Sequence, residues 1–365
     1  MPNLFGVNFS RRELQRHIGR IDQVAGVRLV TLGDGAERGV RLLEFRTGTG
    51  FEFDVVVDRA FDIGRCEYRG MALAYQSPVG FAGPWYYEPE GLGWLRNFGG
   101  GLLATCGLDH TLFQAEDTAT HYNYPGRPVA SYGLHGRISN RPALLTGYGE
   151  RWEGDECILW AEGEVLQAMA MGEALMLRRR IEARVGESRL RIADEVVNVG
   201  PYLTPHMYLY HVNIGFPFVD GGSEVLVPTT TVTPNGDYPA EGWTRLDEPD
   251  PTYSERVYMF EPNAEADGIV PMGIVNRRLG LGIYELFRKE QMPFAWVWRQ
   301  CGDGNYVVGL EPSTNRVAGR LDARPRGELI ELEPGESRSY MLELGVLEGA
   351  TELDRFTTRM AALTR

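Results

Sequence analysis

Three short stretches of the sequence contain residue types that can transfer protons. His135 stands in Tyr-Gly-Leu-His-Gly, and His206 and His211 stand in the segment from Thr204 to Gly215. Glu311 ends the apolar run Val-Val-Gly-Leu and is followed by proline. Burial disfavours a charged carboxylate, so a glutamate at the end of a buried strand has a raised pKa and suits a general base. The pattern predicts acid–base chemistry by histidine and glutamate, unless an arginine pairs with Glu311.

The two histidines of the second stretch are five positions apart. In a regular strand, residues at this separation point to opposite faces, so His206 and His211 share a site only if the chain bends after Pro205. Five histidines together with Asp109 and Glu311 also offer nitrogen and oxygen donors, but their spacings match no known metal-binding signature. We therefore predict no cofactor, with a bound divalent metal as the alternative.

Most of the chain consists of short runs that are typical of antiparallel strands, separated mainly by Gly, Pro, Asn or Asp. These runs lie at 27–32, 40–45, 51–57, 177–183, 190–197, 283–286, 294–298, 306–310, 329–332 and 340–347. Helical signals are limited to a capping box at Ser10 and Glu13 and to a stretch over about 351–363. No linker divides the chain, so we expect one all-β domain over 1–365 with two sheets, a core over about 25–347 and short flanking helices.

Residues 80–128 interrupt the succession of strand-like runs and are rich in glycine and aromatic residues. Flat aromatic rings pack against the apolar face of a pyranose, so this segment could form a wall of a sugar site. The alternative is a loop that covers one open face of a sheet. The aromatic residues concerned are Phe81, Trp85, Tyr86, Tyr87, Trp94, Phe98, Tyr122 and Tyr124.

Composition excludes several classes of function. Among 365 residues, 50 are acidic and 37 are basic, and the net charge of -13 disfavours nucleic-acid binding. Lys289 is the only lysine, which weakens Schiff-base and P-loop hypotheses. Neither a signal peptide nor a membrane span is evident, and four separated cysteines suggest buried, reduced thiols, so we expect a soluble, cytoplasmic protein. The oligomeric state is left open, with a homo-oligomer as one alternative.

Three motifs, in this order, resemble those of the aldose 1-epimerase (galactose mutarotase) superfamily, and in particular its branch of aldose-1-epimerase-like bacterial proteins. Leu134-His135-Gly136 resembles the Leu-His-Gly-Gly element of that family. The segment 204–215 resembles its Thr-Asn-His-x-Tyr-Phe-Asn strand, and 309–312 resembles its late strand ending in the catalytic glutamate. The resemblance implies a β-supersandwich of large antiparallel sheets, with a sugar bound in a cleft on the concave face.

The resemblance also implies a mechanism. In that family a glutamate removes the proton of the C1 hydroxyl and a histidine protonates the ring oxygen, so that the pyranose opens and closes again as the other anomer. Carried over, Glu311 is the base, His211 is the acid with His206 as the alternative, and His135 donates a hydrogen bond to the sugar. Six further residues are expected to contact the substrate, either because the resemblance implies it or as substitutes for residues of the family: His206, Asn213, Arg59, Asp109, His110 and Arg137.

One part of the family pattern is missing. The Asn-Arg pair that precedes the Leu-His-Gly element in the family is replaced by Gly-Leu-Asp109-His110, and Arg59 or Arg137 are candidate substitutes for binding an oxygen or a carboxylate. The sequence therefore keeps two further hypotheses beside an anomer-interconverting isomerase. One is a metal-assisted isomerase or lyase that acts on a keto-sugar or sugar acid. The other is a noncatalytic sugar-binding protein on the same scaffold.

Overall fold

The computed structural model describes residues 1–364, which contain 25 strands and four α-helices. The first strands are β1 (Asn3–Leu4), β2 (Val7–Asn8), β3 (Gly26–Thr31), β4 (Arg41–Arg46), β5 (Phe51–Val56), β6 (Asp62–Tyr68), β7 (Met71–Ala72), β8 (Leu103–Cys106), β9 (Ala115–Thr118), β10 (Val129–Tyr132), β11 (Leu144–Glu153) and β12 (Glu156–Ala168). The others are β13 (Ala174–Arg184), β14 (Arg189–Asn198), β15 (Thr204–His206), β16 (Leu209–Gly215), β17 (Glu224–Leu226), β18 (Thr233–Pro234), β19 (Arg256–Phe260), β20 (Ile269–Asn276), β21 (Leu281–Arg288), β22 (Phe294–Gly302), β23 (Asn305–Ser313), β24 (Ile330–Leu332) and β25 (Ser337–Glu348).

The helices are short and lie mostly outside the sheets. They are α1 (Arg11–Gln15), α2 (Gly93–Arg96), α3 (Arg320–Arg326) and α4 (Gly349–Leu363). The capping box predicted at Ser10 and Glu13 is present: each side chain bonds the backbone N–H of the other residue. The C-terminal helix predicted near 351–363 is α4, and its apolar side packs on the outer face of β20, β21 and β25.

Two large antiparallel sheets form the body of the molecule. One has eight strands in the order β11-β12-β13-β14-β25-β21-β20-β17. The other has eleven strands, ordered β18-β19-β22-β23-β16-β8-β6-β5-β4-β3 with β7 paired to β6. Three two-stranded pairs, β1–β2, β9–β10 and β15–β24, complete the pattern. This is the predicted all-β architecture of large antiparallel sheets.

The main apolar core lies between the two sheets. Along β13, Leu175, Leu177 and Ile181 are buried against the other sheet, whereas Arg178 and Arg180 point outward. This alternation follows from the two-residue period of a strand and produces one apolar and one polar face. The eleven-stranded sheet differs, because its central strands β16 and β23 are buried on both faces.

All ten predicted runs coincide with observed strands, within a few residues at their ends. Several strands gave no clear pattern, among them β11 and β12, whose outward faces carry glutamate and arginine ion pairs. The four cysteines are buried free thiols. Within residues 1–364, no helix has both the length and the apolar character that a membrane crossing requires.

Candidate active site

Three neighbouring strands of the eleven-stranded sheet place a carboxyl group between a histidine and a tryptophan. On β23, Glu311 is the direct cross-strand partner of Trp296 on β22. On the other side, the register that pairs Leu209 with Ser313 sets His211 of β16 opposite Glu311. The three side chains therefore share the outer face of the sheet.

His211 and Glu311 form a close, buried pair. Nε2 of His211 lies 3.4 Å from Oε1 of Glu311, and the two side chains are only 6% and 3% exposed. Nε1 of Trp296 donates a hydrogen bond to Oε2 of Glu311. Nδ1 of His211 and Oε1 of Glu311 have no hydrogen-bond partner among residues 1–364, which leaves both atoms free to bind a substrate.

Burial shifts the protonation of the pair in opposite directions. It raises the pKa of Glu311 to about 8, a shift that the Trp296 hydrogen bond reduces and the charge of Glu255 increases. It lowers the pKa of His211 to about 4. Near neutral pH the unliganded pair therefore holds one proton, located on the carboxyl group. The salt bridge to arginine considered as the alternative role of Glu311 is not present within the described chain.

His135 reaches the pair from a tight loop. Its ring lies edge-on to that of His211, with centroids 5.5 Å apart. The backbone N–H of Leu112 donates to the ring atom Nδ1 of His135 at 3.3 Å. In return, the backbone N–H of His135 donates to the carbonyl of Leu112 at 2.7 Å. Because burial lowers the pKa of His135 well below its usual value, the ring is neutral, and its proton is at Nε2. His135 can therefore donate a hydrogen bond to a substrate oxygen.

The glycine after this histidine is required by the loop. Gly136 has φ +72°, and a Cβ there would lie 2.4 Å from the carbonyl oxygen of His110 and 2.5 Å from that of Gly107. Only glycine fits so close to two backbone carbonyls in this conformation. This explains the His-Gly pair of the motif as a packing requirement of the site.

Aromatic rings cover the pair. Trp94 stacks on Phe98 at 4.5 Å and contacts the rings of His135 and His211, with centroids 4.7 and 6.1 Å away. Trp298 meets the His211 ring edge-on at 5.4 Å. Two of the eight aromatic residues predicted for a sugar-binding wall, Trp94 and Phe98, thus lie at the candidate site.

Two residues of the 204–215 segment are bonded within the protein instead. His206 lies in the core, where its Nδ1 contacts the carbonyl of Leu108 and its Nε2 contacts the hydroxyl of Tyr340, both at 2.7 Å. Its location does not fit the alternative role of acid or a substrate contact, because both ring nitrogens are occupied. Asn213 donates to the carbonyls of Gly101 and His211, so its side chain braces the strand.

The two candidate substitute arginines are also engaged. Arg59 is buried and donates to the carbonyl of Ala82 at 3.1 Å and to the side chain of Asn140 at 3.0 Å. Burial lowers its pKa to about 10, so it stays charged at neutral pH. Arg137 is paired with the buried carboxylate of Glu173. Neither side chain reaches the pair in this structure.

Asp109 and His110 lie beside the site but face away from it. Oδ1 of Asp109 accepts a hydrogen bond from Gln167 at 2.6 Å. Nε2 of His110 contacts the carbonyl of Phe113 at 2.8 Å, and its ring packs on Tyr132. The structure thus brings His135, His211 and Glu311 together and places the other six predicted contacts around or behind them.

The histidines of this region do not form a metal-binding cluster with the neighbouring donor groups of residues 1–364. Within residues 1–364 no three His, Cys, Asp or Glu side chains are grouped closely enough to hold an ion.

Sequence reasoning missed the part played by Trp296 and Trp298. The signal was present, because the run Phe-Ala-Trp-Val-Trp alternates large aromatic and small or β-branched residues with the period of a strand. This alternation places both tryptophans on one face of the strand. The run alone could not show that Glu311 lies on the same face of the sheet.

The two large antiparallel sheets form a galactose mutarotase-like β-supersandwich, and the His211–Glu311 pair lies on two adjacent strands, β16 and β23, of the larger sheet. The chain belongs to the family described as a domain of unknown function, DUF4432, whose model matches residues 37–346. No curated protein matches the chain.

Solved structures from several bacteria share this fold. A candidate aldose 1-epimerase from Klebsiella pneumoniae subsp. pneumoniae MGH 78578 superposes with a TM-score of 0.84 at 22% identity, over 94% of this chain and 91% of that chain. A galactose mutarotase-like protein from Clostridium acetobutylicum gives 0.59 at 12% identity, over 88% and 98% of the two chains. The galactose 1-epimerase of Lactobacillus acidophilus NCFM gives 0.56 at 13% identity, over 88% and 99%. The predicted fold is therefore confirmed.

Proposed function

We propose that this protein is a cofactor-free sugar isomerase that interconverts the anomers of an aldose by acid–base ring opening. The observation that carries the proposal is the His211–Glu311 pair, two buried groups 3.4 Å apart whose pKa values are shifted in opposite directions. A cyclic aldose offers the matching chemistry, because its C1 hydroxyl must lose a proton and its ring oxygen must gain one. The fold shared with a galactose 1-epimerase supports the same substrate class.

In the proposed reaction, the Glu311 carboxylate removes the proton of the C1 hydroxyl while protonated His211 donates a proton to the ring oxygen. The bond between C1 and the ring oxygen breaks, its electron pair stays on that oxygen, and C1 becomes a carbonyl carbon. After rotation about the C1–C2 bond, the ring oxygen attacks the other carbonyl face. Its proton returns to His211, and Glu311 returns a proton to the carbonyl oxygen.

The single proton of the pair must move for this reaction to begin. In the unliganded site it lies on Glu311, because the pKa of this group is about 8 and that of His211 about 4. A C1 hydroxyl that donates to Oε1 favours the charged carboxylate, so substrate binding lowers the pKa of Glu311 and transfers the proton to His211. Neutral His135 then donates from Nε2 to the developing carbonyl oxygen.

Polarimetry over a panel of aldoses tests the proposal. The full chain is compared with Glu311→Gln and His211→Gln, and with the matched controls Glu150→Gln and His17→Gln, whose side chains are exposed and remote from the site. We expect each site variant to lose about 10²- to 10⁴-fold in rate while the controls keep the wild-type rate. An equal rate in wild type and Glu311→Gln would overturn the proposal.

The same preparation separates the two alternative functions. A stoichiometric metal in elemental mass spectrometry, with activity lost on adding a chelator, would favour the metal-assisted isomerase or lyase. Saturable sugar binding without turnover of any bound sugar would favour a noncatalytic binding protein.

A further inference from the structure

A charged network lies in the apolar core between the two sheets. Arg179 occupies an inward position of β13, between Leu177 and Ile181, and its side chain is 0% exposed. Its Nε and Nη2 donate to the two carboxylate oxygens of Asp194 on β14, at 2.8 and 2.7 Å. This fork-to-fork pair fixes the plane of the guanidinium group within the eight-stranded sheet.

The same guanidinium group reaches the opposite sheet. Nη1 donates to Oδ1 of Asp62 on β6 at 2.7 Å, and Nη2 contacts the hydroxyl oxygens of Thr105 on β8 and Tyr208 at 2.9 and 3.0 Å. Arg179 is thus a polar bridge between sheets whose other contacts are largely apolar.

The two carboxylates of the network are fully bonded. Asp194 accepts hydrogen bonds from the hydroxyls of Tyr208 and Tyr210, both at 2.7 Å. Asp62 accepts from the backbone N–H and the hydroxyl of Thr105, at 2.9 and 2.6 Å. A buried ion pair contributes little net stability, because removing charges from water costs about as much as their attraction returns. Such a network is better suited to fixing a geometry than to adding stability.

The geometry that it fixes is that of the strands behind the catalytic histidine. Tyr210 on β16 and Thr105 on β8 are a cross-strand pair on the inner face, bonded to the network. The adjacent pair, His211 and Ala104, lies on the outer face. Successive side chains of a strand point to opposite faces, so the position and orientation of the backbone at Tyr210 determine those at His211.

We infer that Arg179 is a positioning residue, which holds β8 and β16 through Thr105 and Tyr210 so that His211 lies against Glu311. The inference rests on the proposed function in one respect, since it assigns the network to the same acid–base pair. It adds that a residue of the opposite sheet, with no contact to the substrate, sets the geometry of that pair.

The conservative variants Tyr210→Phe and Thr105→Val test this inference. Each removes one hydroxyl and leaves the ring or branched shape in place. The matched control is Tyr284→Phe, which removes a hydroxyl that donates to the Glu343 carboxylate at 2.9 Å on the outer side of the eight-stranded sheet. A merely structural role would lower thermal stability in all three variants and leave the site as it is.

Two readouts distinguish positioning from stability. In the full chain labelled with ¹⁵N-histidine, we expect the His211 ring resonances to move in Tyr210→Phe and Thr105→Val and to stay at their wild-type positions in Tyr284→Phe. We also expect kcat to fall about tenfold in the two network variants with KM nearly unchanged, because a misplaced acid affects the transition state more than binding.

The resonance readout needs no substrate, so it keeps this inference separate from the proposed function. If the wild type catalyses no mutarotation, the proposed function fails, and moved His211 resonances still support the positioning role. Unmoved His211 resonances in folded Tyr210→Phe and Thr105→Val would overturn it, whatever the rates.

Discussion

Nε2 of His211 lies 3.4 Å from Oε1 of Glu311, and the register of β16 against β23 makes the two residues cross-strand neighbours. The backbone therefore fixes their separation more firmly than a pair of flexible loops would. Burial of both groups then sets their pKa values to about 4 and about 8. Pairs of groups whose environments push their pKa values apart are the usual basis for separate acid and base roles.

We expect a bell-shaped dependence of kcat/KM on pH, with limbs near pH 4 and pH 8. Below the lower limb both groups are protonated and no base is present. Above the upper limb both are deprotonated and no acid is present. The measurement is polarimetric rate against pH, corrected for the buffer-catalysed rate, with Glu150→Gln as the control. A single limb near pH 6.5, the ordinary pKa of histidine, would contradict the assignment.

The exposed carboxylate of Glu255 provides a way to move the upper limb. It accepts a hydrogen bond from Nε1 of Trp298 at 3.1 Å, and its charge contributes to the raised pKa of Glu311. Glu255→Gln keeps an oxygen acceptor for Trp298 and removes the charge. The pKa of Glu311 should then fall, which moves the alkaline limb to lower pH by less than about one unit, since solvent and salt screen an exposed charge.

The control for this change is Glu261→Gln, which removes an exposed carboxylate bonded to Arg316. That variant should keep the wild-type pH profile. An alkaline limb that stays at its wild-type position in Glu255→Gln would mean that the field of Glu255 does not reach Glu311.

Gly309 makes room for the carboxyl group of Glu311. It lies two residues before Glu311 on the same face, and a Cβ at this position would be 2.4 Å from Oε1 of Glu311 and 3.2 Å from Cβ of Trp298. Gly309→Ala should displace the carboxyl group and lower kcat by about 10²-fold, the effect of a misplacement near 1 Å. Gly302→Ala is the control, since its Cβ would have no contact closer than 3.8 Å. Equal rates in the two variants would show that Glu311 has another productive position.

Much of the fold could be predicted because apolar and polar residues alternate along many of its strands. The runs that became β13, β14 and β25 follow the two-residue period, and glycine and proline mark their ends. Arg179 shows where this reasoning fails. An arginine inside an alternating strand looks like a surface residue, and its burial depends on Asp62, Asp194 and two tyrosines that are distant in the sequence.

The candidate site was predictable in part. The sequence predicted that His206 and His211 would not share a face, and they lie on two different strands. The pairing of β15 with β24, more than a hundred residues away in the sequence, holds His206 in the core and could not be predicted. The same holds for Arg59 and Asp109, whose polar groups are used by neighbouring loops and strands. A short motif specifies the residue type at a position and says little about which partners are already bound to it.

Glu285 leads to a prediction about stability. It lies on β21 and is 0% exposed, and within residues 1–364 neither carboxyl oxygen has a hydrogen-bond partner. Burial, with a contribution from the charge of Glu311, holds the pKa of Glu285 well above its usual value of 4.5. The folded protein therefore keeps this group protonated at a pH where the unfolded chain releases the proton.

The sign of the resulting pH dependence follows from the number of protons bound. Above about pH 4.5 the unfolded chain binds fewer protons at this position than the folded chain, so the free energy of unfolding falls by about 1.4 kcal/mol per pH unit until the folded pKa is reached. Glu285→Gln should remove this slope. Urea unfolding at pH 5 and pH 7 should then show a gain in the free energy of unfolding over wild type that is larger at pH 7 than at pH 5. Glu285→Leu should add about 1–3 kcal/mol more at both pH values, because it also removes the unpaired polar atoms. A gain that is the same at pH 5 and pH 7 would mean that Glu285 is ionised in the folded state, and the account of a neutral acid in the core would be wrong.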